Sequence, residues 1–257
     1  MTVRSFVYEG IRRISVANLG DGSIVVEPGP SEQAVEGTVG CSDEGLLSAV
    51  SIRQDHDHLR VEVPRWGFLA GAVHLRLGVP PGLDYDLSSG SADIRVGVEA
   101  GRTRTVSGSG EISLNVVHDL ACSTGSGSVS VGEARGEAAK INSGSGDVVI
   151  YRARCPVSLK SGSGDLTVKT LDGARLQASS GSGNIAVPST TGSVDLRTAS
   201  GAITIGVADG LLAWLDLHSV SGEIRIALDA SAEPATGEPY VTVKARSASG
   251  EVAVYRA

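Results

Sequence analysis

From residue 85 to residue 257, apolar and polar positions alternate in short runs, and the alternation restarts at a nearly constant interval. Aligned on one small residue per repeat, the runs centre on Ala92, Gly110, Gly127, Gly146, Gly164, Gly183, Gly201, Gly222 and Gly250. Neighbouring anchors lie 17–21 residues apart, except for a gap of 28 before the last. Two and four positions after each anchor every residue is aliphatic, as in Ile94 and Val96, Val148 and Ile150, or Ile203 and Ile205. Five and seven positions before it the residues are mostly apolar too, as in Leu87 and Tyr85 or Leu196 and Val194. A period of two with one side apolar predicts half-buried strands, so each repeat carries two short strands joined at a corner.

The corner is as regular as the strands. Ser precedes the anchor in all nine repeats, and Ser or Thr stands three positions before it, from Ser89 to Ser247. Small hydroxyl side chains satisfy backbone groups in tight bends. Glycine at the anchor is expected to supply dihedrals that other residues resist. Identical residues at identical offsets favour stacked rungs over an antiparallel meander, which has no need to keep two hydroxyl columns. The predicted fold is all-β: a parallel β-solenoid, β-helix-like, of about nine 18–19-residue rungs, each burying its neighbours' apolar columns.

Residues 1–84 are less regular. One degenerate rung is expected at Gly22–Val26, with further strands over Leu47–Arg53, Leu59–Val63 and Ala72–Val79 and a break at Pro80-Pro81-Gly82. We assign 1–84 as an irregular β N-terminal cap belonging to the same domain as the 85–257 repeat, because an uncovered sheet edge invites aggregation.

Composition narrows the function classes. With 34 glycines and 4% aromatics the core is thin and aliphatic, and a net charge of −7 without a dense Lys/Arg run argues against nucleic acid as a partner. Three cysteines, Cys41, Cys122 and Cys155, are too few and too scattered for a disulfide framework or a zinc site. No apolar run is long enough for a transmembrane helix, and the first ten residues do not resemble a signal peptide. The expected location is cytoplasmic as the sequence stands, with export by another route left open.

The candidate chemistry is sparse. The position after the anchor is often acidic or amidic, and Asp147, Asp165 and Asn184 occupy it in successive rungs. Stacked carboxylates repel, so a divalent cation is one explanation of this column; capping of local N–H groups in a solvated turn is the simpler one, and no metal is assigned. Asp55-His56-Asp57-His58 alternates ligand-type side chains but fits a hairpin tip. Cys122 falls in a core column and reads as a buried thiol. Trp66, Phe68 and Leu69 form an apolar stretch, either an end plug or a partner contact. No phosphate loop, Gly-x-Ser-x-Gly elbow or other catalytic set is present, and no cofactor is implied.

The unit Ser-Gly-Ser-Gly-Asp followed by alternating aliphatics, at Ser143–Ile150 and Ser161–Val168, resembles a bacterial putative-adhesin β-strand repeat family, a domain of unknown function. That family is similar to the head-GIN putative autotransporter adhesins. Ile14–Pro28 and Val79–Gly82 resemble it as well. The resemblance implies a β-helix-like scaffold with a surface role and no catalytic residues. The expected function is a non-enzymatic, adhesin-like binding or interaction scaffold for a protein or cell-surface partner. A self-associating, filament-forming solenoid is the alternative, and a carbohydrate-active β-helix enzyme is a more distant one. Specificity is expected in the variable segments opposite the corner, among them Gly132–Ala138 and Tyr151–Pro156.

Overall fold

Each run of alternating residues becomes a strand in the computed structural model, which describes residues 2–64, 71–228 and 240–257. In chain order the elements are β1 (Thr2–Glu9), β2 (Arg13–Leu19), β3 (Gly22–Pro28), β4 (Ala34–Cys41), α1 (Glu44–Ala49), β5 (Ser51–Asp55), β6 (His58–Glu62) and β7 (Val73–Val79). There follow β8 (Leu83–Ser89), β9 (Asp93–Ser107), β10 (Ile112–Thr124), β11 (Val129–Ala134), β12 (Ala139–Ser143), β13 (Val148–Ala153), β14 (Val157–Ser161) and β15 (Leu166–Leu171). The rest are β16 (Arg175–Ser180), β17 (Ile185–Thr190), β18 (Ser193–Thr198), β19 (Ile203–Val207), β20 (Leu212–Ser219), β21 (Ile224–Ala227), β22 (Tyr240–Ser247) and β23 (Val252–Arg256). The fold is an all-β parallel solenoid, and it divides into two compact units, Met1–Val131 and Gly132–Ala257.

In the second unit, the strands before the corner stack in parallel as β12, β14, β16, β18, β22 and β20. The strands after it stack as β13, β15, β17, β19, β23 and β21. Register follows the columns of the sequence: Ile141, Leu159, Ala178, Leu196, Ala245 and Leu217 lie one above another. All but the last are buried. The aliphatic stack removed from water is the main stabilising term, at about 25 cal/mol per Å².

Rung order in space departs from rung order in the chain. The last rung of the sequence, β22/β23, lies between β18/β19 and β20/β21. Arg256 is therefore not at a sheet edge. Its guanidinium donates to the Ala208 and Leu211 carbonyls at 3.1 and 2.8 Å. Because all rungs carry the same columns, the repeat leaves their spatial order open.

The first unit contains more of the solenoid than its sequence suggests. β2/β3 is a full rung, with Ile14 opposite Tyr85 and Ile24 opposite Ile94. β6/β7 forms another rung on its far side, with Ile14 opposite Leu59 and Ile24 opposite Leu75. The edges of that rung are covered by antiparallel strands: β5 on β6, β4 on β7, then β1 on β4. The strand expected over Leu47–Arg53 is only partly present. Asp43 caps α1 by accepting the Leu46 N–H at 2.7 Å, and Leu46 and Leu47 are buried from a helix; the strand begins at Ser51.

Candidate functional site

The corner uses its hydroxyls to hold the backbone. Ser143 Oγ donates to the Gly146 carbonyl at 2.7 Å, and Ser107 Oγ does the same to Gly110 at 3.1 Å. In later rungs the hydroxyl faces both ways. Ser180 Oγ accepts from Gly183 N at 2.9 Å and donates to the Gly164 carbonyl of the neighbouring rung at 3.3 Å. Thr198 and Ser247 repeat the pattern. These side chains are buried, so each bond satisfies a group that would otherwise lie unpaired in the core.

The anchor glycines have a different cause from the one expected. None of Gly110, Gly127, Gly146, Gly164, Gly183, Gly201, Gly222 or Gly250 has a positive φ. What excludes a side chain is the neighbouring rung: a Cβ on Gly164 would run into the Gly146 carbonyl oxygen, and one on Gly183 into that of Gly164. Close stacking of backbones, not turn dihedrals, demands glycine there.

The acidic column is a ladder. Asp147 Oδ1 accepts the Asp165 N–H at 2.8 Å, Asp165 Oδ1 accepts the Asn184 N–H at 2.7 Å, and Asn184 Oδ1 accepts the Ala202 N–H at 2.9 Å. Asp93 does the same for Glu111. Each side chain thus satisfies the amide of the rung above. Among the described residues no three or more His, Cys, Asp or Glu side chains gather as a metal site.

Asp55-His56-Asp57-His58 is the tip of the β5–β6 hairpin, with His56 at φ 54°. Its histidines point to separate partners. His58 Nε2 lies 2.7 Å from Ser15 Oγ, its Nδ1 accepts from Arg60 Nε at 3.3 Å, and His56 lies 2.9 Å from Asp55. Burial, with Arg60 and Arg13 close by, holds His58 below the usual histidine range. The tip borders an open cleft of about 450 Å³ with Arg12, Arg13 and Asp84.

Cys41, Cys122 and Cys155 are all buried and free. Burial pushes the Cys122 thiol up to about 11. Trp66, Phe68 and Leu69 lie outside the described residues. No helix among the described residues is long and apolar enough to cross a membrane. Opposite the corner, the variable segments of the second unit are tied together by ion pairs: Arg154 reaches Glu133 at 3.5 Å and Asp172 at 3.6 Å, and Arg152 reaches Asp172 at 3.3 Å.

The inward columns, the buried corner hydroxyls and the ladder hold the rungs together, and the outward strand faces carry the remaining polar side chains. In the second unit two clefts open on the outward face before the corner. One of about 190 Å³ lies between Lys160, Gln177, Ser179 and Arg197, and one of about 360 Å³ lies between Arg175, Ser193, Thr242 and Lys244; Asp195 borders both. These positions follow from counting four, six and eight residues back from each anchor, on the polar side of the alternation.

A family model, Toastrack DUF4097, matches residues 103–255. No curated protein matches the sequence. Among solved structures, the "putative lipid binding protein" of Parabacteroides distasonis aligns over 98% of this chain and 96% of its own, at 15% identity and a TM-score of 0.49. The "putative adhesin" of Bacteroides fragilis aligns over 98% and 97%, at 13% identity and a TM-score of 0.47. A "putative adhesin" of Parabacteroides merdae aligns over 98% and 95%, at 16% identity and 0.42.

Proposed function

Since the chain belongs to the Toastrack DUF4097 family, a domain of unknown function, we propose its function from geometry: a non-enzymatic, adhesin-like scaffold that binds its partner on the outward faces of its strands. One observation carries this. The buried corner hydroxyls and the Asp147–Asp165–Asn184 column are engaged in backbone hydrogen bonds within the corner or to the neighbouring rung. A rigid frame with free outer side chains is suited to recognition.

The test is retention of the purified protein on immobilised surface polymers, namely matrix proteins and neutral and acidic glycans. Saturable binding that survives Asp147→Asn and Asp165→Asn is expected. Turnover of any of these polymers that disappears with the same substitutions would replace the scaffold by an enzyme.

A second reading, association of copies end to end, is favoured by the exposure of Ile224 and Ile226 on β21, at the outer rung of the second unit. Light scattering across a concentration series tests it, and a mass fixed at the monomer at every concentration would remove it.

A further inference from the structure

The outward face of β12, β14, β16, β18, β22 and β20 is built from three columns. Asn142, Lys160, Ser179, Arg197, Arg246 and His218 form one. Lys140, Ser158, Gln177, Asp195, Lys244 and Asp216 form the second. Arg175, Ser193, Thr242 and Trp214 belong to the third. The face thus carries six cations and two carboxylates on a chain whose net charge is −7. On the other sheet of the same unit the matching column reads Val149, Thr167, Ala186, Thr204, Ala253 and Arg225.

Folding does not explain this concentration of charge. Arg197 lies directly opposite Arg246 on the neighbouring strand, and like charges so placed cost stability. The two acids relieve part of it: Asp195 pairs with Arg197 at 3.1 Å and Asp216 with Arg246 at 3.3 Å. No carboxylate among the described residues stands within ion-pair distance of Lys140, Lys160, Arg175 or Lys244. Between the cations lie hydroxyl and amide groups, Ser158, Gln177, Ser179, Ser193 and Thr242, which line the two clefts. At one end of the face two aromatic rings are half exposed, Trp214 and Tyr240, with the Lys244 ammonium 5.8 Å from the Trp214 ring centre.

We propose that this face binds an acidic polysaccharide. The proposal rests on the scaffold reading above and names its ligand class. Five successive strands, β12, β14, β16, β18 and β22, each carry at least one cation, so positive charge recurs from rung to rung, about 4.8 Å apart but in different columns, and meets carboxylates repeated along a sugar chain. Hydroxyl and amide side chains between them match sugar hydroxyls, and the exposed rings offer flat surfaces to a pyranose. At physiological ionic strength the screening length is about 8 Å, so the face acts locally despite the acidic whole. Single-stranded nucleic acid would call for aromatic rings interleaved with the cations, and an anionic bilayer, which attracts basic side chains by charge alone, is an outcome the test separates. Here the rings are confined to one end.

The experiment is calorimetric titration of the full chain with polygalacturonate, against neutral dextran, a thymidine oligonucleotide and vesicles of phosphatidylcholine with phosphatidylglycerol. Polygalacturonate is expected to bind saturably and to weaken as salt rises, with dextran inert. The double variant Lys160→Gln/Lys244→Gln, at two surface sites outside the ion pairs, is expected to bind about tenfold more weakly. Lys169→Gln, on the other sheet over Tyr151, is expected to bind as the parent does, and circular dichroism checks that all variants fold. Equal binding by the double variant, a preference for vesicles or oligonucleotide, or no preference over dextran would overturn the proposal. If polygalacturonate and the immobilised acidic glycans fail while a matrix protein or a neutral glycan is retained, the ligand class falls and the scaffold reading stands.

Discussion

The Asp147 carboxylate spans one rung to accept the backbone N–H of Asp165 at 2.8 Å, and Asp165 in turn reaches Asn184. A hydrogen bond to a charged acceptor at a partly solvated corner is worth about 1 kcal/mol. Asp147→Ala is therefore expected to lower stability by about 1 kcal/mol in urea unfolding. Asp165→Asn is expected to be nearly silent, because Asn184 performs the same task toward Ala202 at 2.9 Å. Added calcium is expected to leave the midpoint of the parent unchanged.

Glycine at the anchor is a matter of space. Gly164 has no room for a Cβ beside the Gly146 carbonyl, and the obstacle is backbone in a hydrogen-bonded rung, which cannot step aside cheaply. Gly164→Ala is expected to cost about 3 kcal/mol. Gly173 offers the contrast: its φ is +65° and nothing lies within 4 Å of its Cβ site. There alanine meets only the left-handed penalty of about 1 kcal/mol. Thermal unfolding of the two variants separates crowding from dihedral strain. An equal loss in both would mean that the anchor is selected for conformation.

The solenoid was legible because a repeat repeats its physics: the inward columns and the hydroxyl corner appear in every repeat, and the acidic position in most. What the repeat hid was whatever differs between rungs. Nothing in the columns of Val243 and Ala245 says that they pair with Val194 and Leu196 on one side and Leu215 and Leu217 on the other. The long gap before Gly250 was the sole hint that the chain could cross back. Likewise Asp43 followed by Glu44 is a helix-start signal, overshadowed by the apolar run behind it. The basic face required reading the polar positions as columns too; taken one repeat at a time, Lys160 or Arg197 is an ordinary surface cation.

Cys122 links burial to pH. Its thiol is raised from 9.0 to about 11 by burial, with Thr105 opposing part of the effect. The protonated form is thus favoured in the folded chain. The contribution is complete below pH 9 and declines as the unfolded chain ionises first, until the folded thiol ionises near pH 11. Stability is expected to fall across that window, and Cys122→Ala to remove this part of the fall. In the folded protein at pH 8, iodoacetamide is expected to leave Cys122 unmodified and to label it once denaturant is added.

Ile205 and Ile226 occupy one column of the sheet after the corner, separated by Val254, yet Ile205 is fully buried and Ile226 is 54% exposed. Their surroundings differ because, among the described residues, β21 has a neighbouring rung on one side, whereas β19 lies between β17 and β23. In a stack whose energy is a sum of rung–rung terms, the outer rung has about half the coupling of an inner one. Ile205→Ala is expected to cost about 2–5 kcal/mol and Ile226→Ala less than about 1 kcal/mol. Amide hydrogen exchange gives an independent measure: the β20 and β21 amides should exchange well before those of β16 and β17, and fraying should proceed inward through β22 and β23. Equal protection across these rungs would mean that the outer rung is covered in solution, and Ile226→Ala would then cost as much as its buried counterpart.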